Sequence, residues 1–246
     1  MRPIAHRGCL TQYPENTLAA FRGCAPSVDM IETDVRRCGS GELVIFHDDT
    51  LDRVTDATGE VASTPIEVLA EVSVLGSGEP IPTLTEVLDA VPETVGLNLE
   101  LKGRDVAAET VAAADAHGHE VVVSSFYPDD VAAARDAGAE TVAHLFYAED
   151  PADFDVTAAL DVAAELDCSY VHPDVGLCLE TPIVAAAHAR GVGVNAWTAE
   201  TESEVVALRE RGVDGAVIND CRFATTCRRG TRLQELDHDD ARDPQA

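Results

Sequence analysis

Apolar and polar positions alternate along this chain in blocks of two lengths. Short runs rich in Val, Ile, Leu and Phe recur at Pro3 to His6, Met30 to Val35, Leu43 to His47, Val95 to Lys102, Glu120 to Phe126, Thr141 to Tyr147, Ser169 to His172, Val192 to Thr198 and Gly215 to Asn219. Their length and β-branched content predict buried strands. Alanine-rich amphipathic stretches separate most of them, namely DVAAETVAAADAHG (105–118), PDDVAAARDAG (128–138), TPIVAAAHARG (181–191) and ETESEVVALRERG (200–212). Several open on Asp, Thr or Glu and close on Gly, the residues that cap helix ends. Strand-helix alternation sustained over 246 residues predicts an α/β protein whose parallel sheet closes into an eight-stave (β/α)8 barrel.

Nine strand candidates exceed eight staves, and loop length resolves the excess. Only RRCGSGE separates Val35 from Leu43, too short for the dozen or so residues of a parallel crossover. The second and third strands are therefore predicted to form a hairpin turning around Gly39 and Gly41, which would lay His47 near Asp34. Residues 50–82 break the rhythm with TLDRVTDATGE, TPIEVLAEV and GSGEPIP. They are expected to form a small insertion over the barrel mouth, between strands three and four, rather than a second domain. The barrel is expected to span residues 1–220, and the polar tail 221–246, which ends in LDHDDARDPQA, is expected to fray.

Composition narrows the partners. The formal net charge is -28, from 45 acidic against 17 basic residues, and Lys102 is the single lysine. Such a surface repels nucleic acid and anionic membranes, so binding to the first and stable association with the second are not expected. The charge fits adaptation to molar salt, where the Debye length falls to about 3 Å and self-repulsion is screened. No run of 18 apolar residues and no charged-then-apolar leader is present, which predicts a soluble, cytoplasmic protein. The seven cysteines (9, 24, 38, 168, 178, 221 and 227) show no CxxC pair, and are expected to be reduced thiols, mostly small and buried. Oligomeric state is left open.

Candidate chemistry gathers where polar groups replace apolar ones on buried strands. MIETDV puts Glu32 and Asp34 on one strand face, and GLNLELKG does the same with Asn98, Glu100 and Lys102. Two like charges at 4 Å cost about 4 kcal/mol at an effective dielectric of 20. Three converging carboxylates must therefore protonate or hold a cation, and hard oxygen ligands select Mg²⁺, Ca²⁺ or Mn²⁺ over zinc. The competing reading pairs Glu32 and Asp34 with Arg36 or Arg37 at the surface. His6 and His47 each end an apolar run, where barrel enzymes keep their catalytic groups, and two imidazoles can divide proton acceptance and donation. Arg7 adds a planar donor fork suited to phosphate oxygens. This set spells a metal-assisted attack on a phosphate ester.

In order, HRG with PENT, ExD, VIFHDDTLDRVT and LNLELK closely resemble the glycerophosphodiester phosphodiesterase family, along nearly the whole chain and most weakly after about residue 200. The resemblance implies a distorted (β/α)8 TIM-type barrel that hydrolyses a small glycerophosphodiester to glycerol 3-phosphate and an alcohol, using a divalent cation. By that resemblance His6 and His47 match the acid/base pair, and Glu32, Asp34 and Glu100 match the metal ligands. Arg7 and Lys102 match the phosphate contacts, Trp197 the late aromatic of the pocket, and Asn16 steadies the first loop. Ser124, Ser125 and Phe126 are expected to complete the rim; His172 is similarly placed and receives no role.

WTAE after residue 196 and INDCR at 218–222 depart from the family pattern, on the side that shapes the alcohol pocket. Two rivals remain. A phospholipase-type phosphodiesterase working on another diester would want an apolar or basic membrane-facing patch, and 4% aromatic residues on an acidic chain offer little. A barrel that only binds phosphodiesters or metal would lack a catalytic group, and none is missing.

Overall fold

The computed structural model describes residues 1–229. Nine strands form one sheet: β1 (Arg2–His6), β2 (Met30–Arg37), β3 (Leu43–Ile45), β4 (Gly96–Leu101), β5 (Val121–Ser125), β6 (Val142–Phe146), β7 (Tyr170–Pro173), β8 (Gly193–Ala199) and β9 (Gly215–Ile218). Eight run parallel and close, because β1 pairs with both β9 and β2. The predicted barrel is present, with the ninth strand outside it. β3 pairs antiparallel with β2, Val35 opposite Ile45 and Arg37 opposite Leu43. The hairpin turn depends on Gly41 at φ 109, a left-handed conformation that side chains disfavour. Beyond β3 the Phe46 amide donates to the Asp34 carbonyl at 2.9 Å, which sets His47 near Asp34 as the hairpin predicts.

Alternation across the strands separates two apolar layers. Outward residues such as Ile31, Leu97, Leu99 and Val123 meet the helices in the main core. Inward ones, Ile4, Met30, Val122, Ala143 and Val217, plug the barrel, with Tyr170 and Trp197 packed against them. Above this plug the inward positions become His6, Glu32, Asp34, Asn98 and Glu100, so the mouth is polar while the floor is dry. The closing glycines Gly138, Gly191 and Gly212 hold φ of 103, 76 and 81, but of the four helices with predicted caps only Glu202–Arg211 has a side-chain N-cap, the capping box of Thr201 and Glu204; Ala107–Asp115, Pro128–Asp136 and Ile183–Ala189 begin without one. Segment 50–82 packs Leu51, Val54, Val61 and Leu69 around Val44 and Phe46 of the hairpin.

Two expectations need correction. Cys9 and Cys221 form a disulfide across 212 residues, whereas Cys24, Cys38, Cys168, Cys178 and Cys227 are free and buried. Spacing could not reveal the pair, because the two cysteines meet only when β1 and β9 become neighbours. Ordered structure also continues past residue 220, through a turn at Cys221–Phe223 and a helix at Ala224–Arg228. Ala224 and Cys227 are buried there, and Arg228 donates to Asp29 at 2.6 Å. A helix of five residues leaves no periodic signal. Residues 230–246, the rest of the expected tail, lie outside the described residues. No described helix is long and apolar enough to cross a membrane.

Candidate active site

The first loop leaves β1 in strained backbone. Arg7, Cys9 and Asn16 hold φ of 49, 64 and 57, values uncommon for residues with a side chain. Between them Gly8 sits at φ 84, where a Cβ would lie 2.6 Å from that of Ala20; only glycine lets the loop cross the following helix. Asn16 stabilises this path. Its amide donates to the Arg7 carbonyl and its Nδ2 to Asp34 Oδ2, both at 2.9 Å, while its Oδ1 accepts from Thr33 at 2.8 Å.

Glu32, Asp34 and Glu100 are 4%, 0% and 7% exposed. Register sets Asp34 beside Glu100 and Glu32 beside Asn98, and one oxygen from each carboxylate lies within 4.8 Å of the others. Arg7 Nε is 3.2 Å from Asp34 Oδ2, Lys102 Nζ is 3.0 Å from Asp34 Oδ1, and Lys102 also pairs with Glu100. Neither Arg36 nor Arg37 touches the cluster. Arg36 donates to the His47 carbonyl and Asp49, and Arg37 to Asp105 and Glu109, so the surface-pairing reading falls.

The three carboxylates are not equivalent. Burial, reinforced by Asp34 and Glu100, pushes Glu32 well above the usual carboxylate range. Burial also pushes on Asp34, but Lys102 and Arg7 outweigh it and hold that group low. Glu100 is raised, mostly by burial, against the pull of Lys102. A buried carboxylate that resists ionising is an incomplete charge balance. Asn98 Oδ1 is buried without a hydrogen-bond partner beside Glu32. An all-oxygen set with a charge deficit fits a hard divalent cation.

Each histidine has a fixed ring. Asn219 Oδ1 lies 2.6 Å from His6 Nδ1. An amide oxygen only accepts, so Nδ1 carries the hydrogen and the Nε2 lone pair faces the site, 3.8 Å from Glu32 Oε2. Burial, then Arg7, pushes His6 down to about 4. His47 Nδ1 is 2.6 Å from Asp48 Oδ1, and Arg53 clamps Asp48 at 2.5 Å. Burial lowers His47, while Asp34 and Asp48 pull the other way.

Seven of the eight candidate residues, His6, Arg7, Glu32, His47, Glu100, Lys102 and Trp197, line one cavity of about 90 Å³, and Asp34 lies directly behind it. The opposite wall carries Phe126, Leu145 and His172. Trp197 stands edge-on to Phe126 at 5.2 Å and donates to the His172 carbonyl at 2.8 Å. Ser125 turns away to Asp130. Sequence reasoning missed the partners: Asn219, Asp48, and Glu15, which accepts from Arg7 at 3.1 Å and from Arg53. Asp48 adjoins a candidate histidine and Glu15 lies inside PENT, so both carried a signal; Asn219 carried none.

A closed (β/α)8 barrel with paired imidazoles, cationic groups and a carboxylate cluster at the C-terminal ends of its first strands defines a hydrolase of phosphate esters. Residues 6–222 match the model of the glycerophosphoryl diester phosphodiesterase family, and the chain belongs to that family. A glycerophosphodiester phosphodiesterase of Caldanaerobacter subterraneus is 28% identical over 235 residues, 88% of this chain and 93% of its own length. Bacillus subtilis YhdW is 42% identical over 108 residues, but that match spans 41% of this chain and 44% of YhdW. Among solved structures, an Oleispira antarctica phosphodiesterase in complex with the product sn-glycerol-3-phosphate superposes with a TM-score of 0.82 at 28% identity, covering 94% of this chain and 97% of the other.

Proposed function

We propose that this enzyme hydrolyses glycerophosphodiesters to glycerol 3-phosphate and an alcohol, with His6 and His47 moving the protons and a divalent cation at Glu32, Asp34 and Glu100. The observation that carries the reading is the pair of imidazoles, each tied through Nδ1, on one cavity with the carboxylate cluster, Arg7 and Lys102. A cation bound there would supply positive charge to polarise the attacking hydroxyl and offset charge growing on phosphate.

His6 Nε2 takes the proton from the substrate's own glycerol hydroxyl, whose oxygen attacks phosphorus. The phosphorus–oxygen bond to the alcohol breaks, and His47, held by the Asp48 carboxylate, donates a proton to the leaving oxygen. In the second step His47 takes a proton from water, which opens the cyclic phosphate, and His6 returns its proton to the glycerol oxygen. Arg7 and Lys102 face the phosphate oxygens, and Trp197 with Phe126 borders the departing alcohol. The net charge of -28 belongs to the same reading, as a surface suited to molar salt.

The test is release of glycerol 3-phosphate from glycerophosphocholine and glycerophosphoethanolamine in molar KCl, with Mg²⁺, Ca²⁺, Mn²⁺ or EDTA. Release that needs a cation is expected, and undiminished release in EDTA would remove the metal from the mechanism. General acid/base catalysis contributes roughly 10² to 10⁴ in rate, so His6→Ala and His47→Ala should each lose at least about a hundredfold. Both variants staying within tenfold of the parent would overturn the two-histidine assignment.

A further inference from the structure

The partner of His6 is supplied by the last strand of the barrel, more than two hundred residues away in sequence. β1 and β9 are parallel neighbours, with Ala5 opposite Ile218, so His6 and Asn219 are the next residues on adjoining strand ends. Past that point the two chains diverge: the first loop runs through its left-handed residues, and the other enters the turn at Cys221–Phe223. Register alone therefore brings the two residues together without holding them.

A set of cross-connections holds them. Thr11 N donates to the Asn219 carbonyl at 3.1 Å, Cys221 N donates to Gln12 Oε1 at 3.0 Å, and Gln12 Nε2 donates to Asp220. Single hydrogen bonds of this kind contribute little net stability, which is weak anchorage for a loop with four residues at positive φ, Gly8 among them. The covalent bond is the Cys9–Cys221 disulfide. Cys9 stands three residues after His6, and its amide donates to the His6 carbonyl at 2.9 Å; Cys221 stands two residues after Asn219. The disulfide and the His6–Asn219 hydrogen bond thus close one small ring, His6 to Cys9, across to Cys221, and back through Asp220 to Asn219.

We infer that Asn219 is a positioning residue that fixes which nitrogen of His6 faces the substrate, and that the Cys9–Cys221 disulfide holds it in place. The inference rests on His6 being the proton acceptor of the proposed reaction. Asparagine suits the task because its side-chain oxygen accepts the Nδ1 hydrogen and so leaves Nε2 as the ring's acceptor. With Oδ1 gone, the hydrogen can sit on Nε2 and the acceptor is lost from the cavity, although the substrate still binds. Reduction of the disulfide leaves the ring open and the Asn219 oxygen free to drift.

The experiment measures kcat and KM for glycerophosphocholine in the parent, Asn219→Leu, Asn219→Asp and Cys221→Ser. The parent is measured again after reduction by a phosphine, with mass confirming two new thiols and circular dichroism confirming the fold. Asn219→Leu should lose roughly tenfold to a hundredfold in kcat, part of the general-base contribution, with KM within about twofold. Asn219→Asp keeps the acceptor oxygen and should recover most of that kcat. Cys221→Ser and the reduced parent should lose about tenfold in kcat with the same unchanged KM. Parent-level kcat in Asn219→Leu, or equal losses in the Leu and Asp variants, would overturn the positioning role. Parent-level kcat in the folded, reduced protein would overturn the role of the disulfide. If His6→Ala itself keeps full activity, the proposed reaction is what fails. If His6→Ala is inactive while the other variants are normal, this inference alone fails.

Discussion

At the residue scale, burial pushes the His172 imidazole down to about 3, because its ring is enclosed in the barrel, where its Nε2 meets Asn195 Nδ2 at 3.1 Å. An unfolded histidine binds its proton near 6.5, so the unfolded chain takes up a proton that the folded one refuses. The stability from this group is present above about pH 6.5 and is lost as pH falls toward 3, reaching about 2 kcal/mol by pH 5. Urea unfolding at pH 7 and pH 5 should show a loss larger in the parent than in His172→Gln by about that amount, the remainder coming from other buried imidazoles such as His6; equal losses in both would exclude a contribution from His172. His172 ends an apolar run just as His6 and His47 do, so residue type and position could not separate a ring kept neutral by its wall from two that face carboxylates. The eight candidate residues were legible because each is a charged or aromatic group within a strand or just past its end. Their partners Asn219 and Asp48 were not assigned, because a hydrogen-bond acceptor becomes informative only once the ring it meets is known.

At the element scale, the helix Leu84–Ala90 follows directly on the stretch that steadies the hairpin leading to His47. Ile45 N donates to the Pro82 carbonyl at 2.9 Å, and Thr83 and Glu86 form a capping box immediately after it. Loss of a helix N-cap costs about 1 kcal/mol, so Thr83→Ala should lower unfolding free energy by about that amount, measured by urea titration. A change below about 0.3 kcal/mol would mean that backbone pairing alone anchors this junction. All nine strand candidates are strands, because each is a short β-branched run bounded by turn residues. The hairpin was legible for a different reason: seven residues cannot carry a parallel crossover. The helix at Ala224–Arg228 was illegible, since five residues are too few for helical periodicity to declare itself and its buried residues Ala224, Thr226 and Cys227 pack against β1 and the helix Glu202–Arg211.

At the scale of the whole molecule, a net charge of -28 repels itself unless ions screen it. The melting temperature should rise between low salt and molar KCl, and one indifferent to KCl over that range would sink the reading of a salt-adapted surface. Composition alone determined the acidic net charge, because it is a sum over residues wherever they stand, and local periodicity determined the order of strands and helices, because it depends on residues near one another in the chain. The family motifs likewise named the site residues from short stretches. Barrel closure decided the rest. It set Asn219 on His6, joined Cys9 to Cys221, and enclosed Glu32, Asp34 and Glu100 with two cationic groups that divide their ionisation unequally. Those outcomes are contacts between residues tens to hundreds of positions apart. Hydrogen-bond direction and burial, which fix a tautomer or a proton affinity, do not exist until such residues share one cavity.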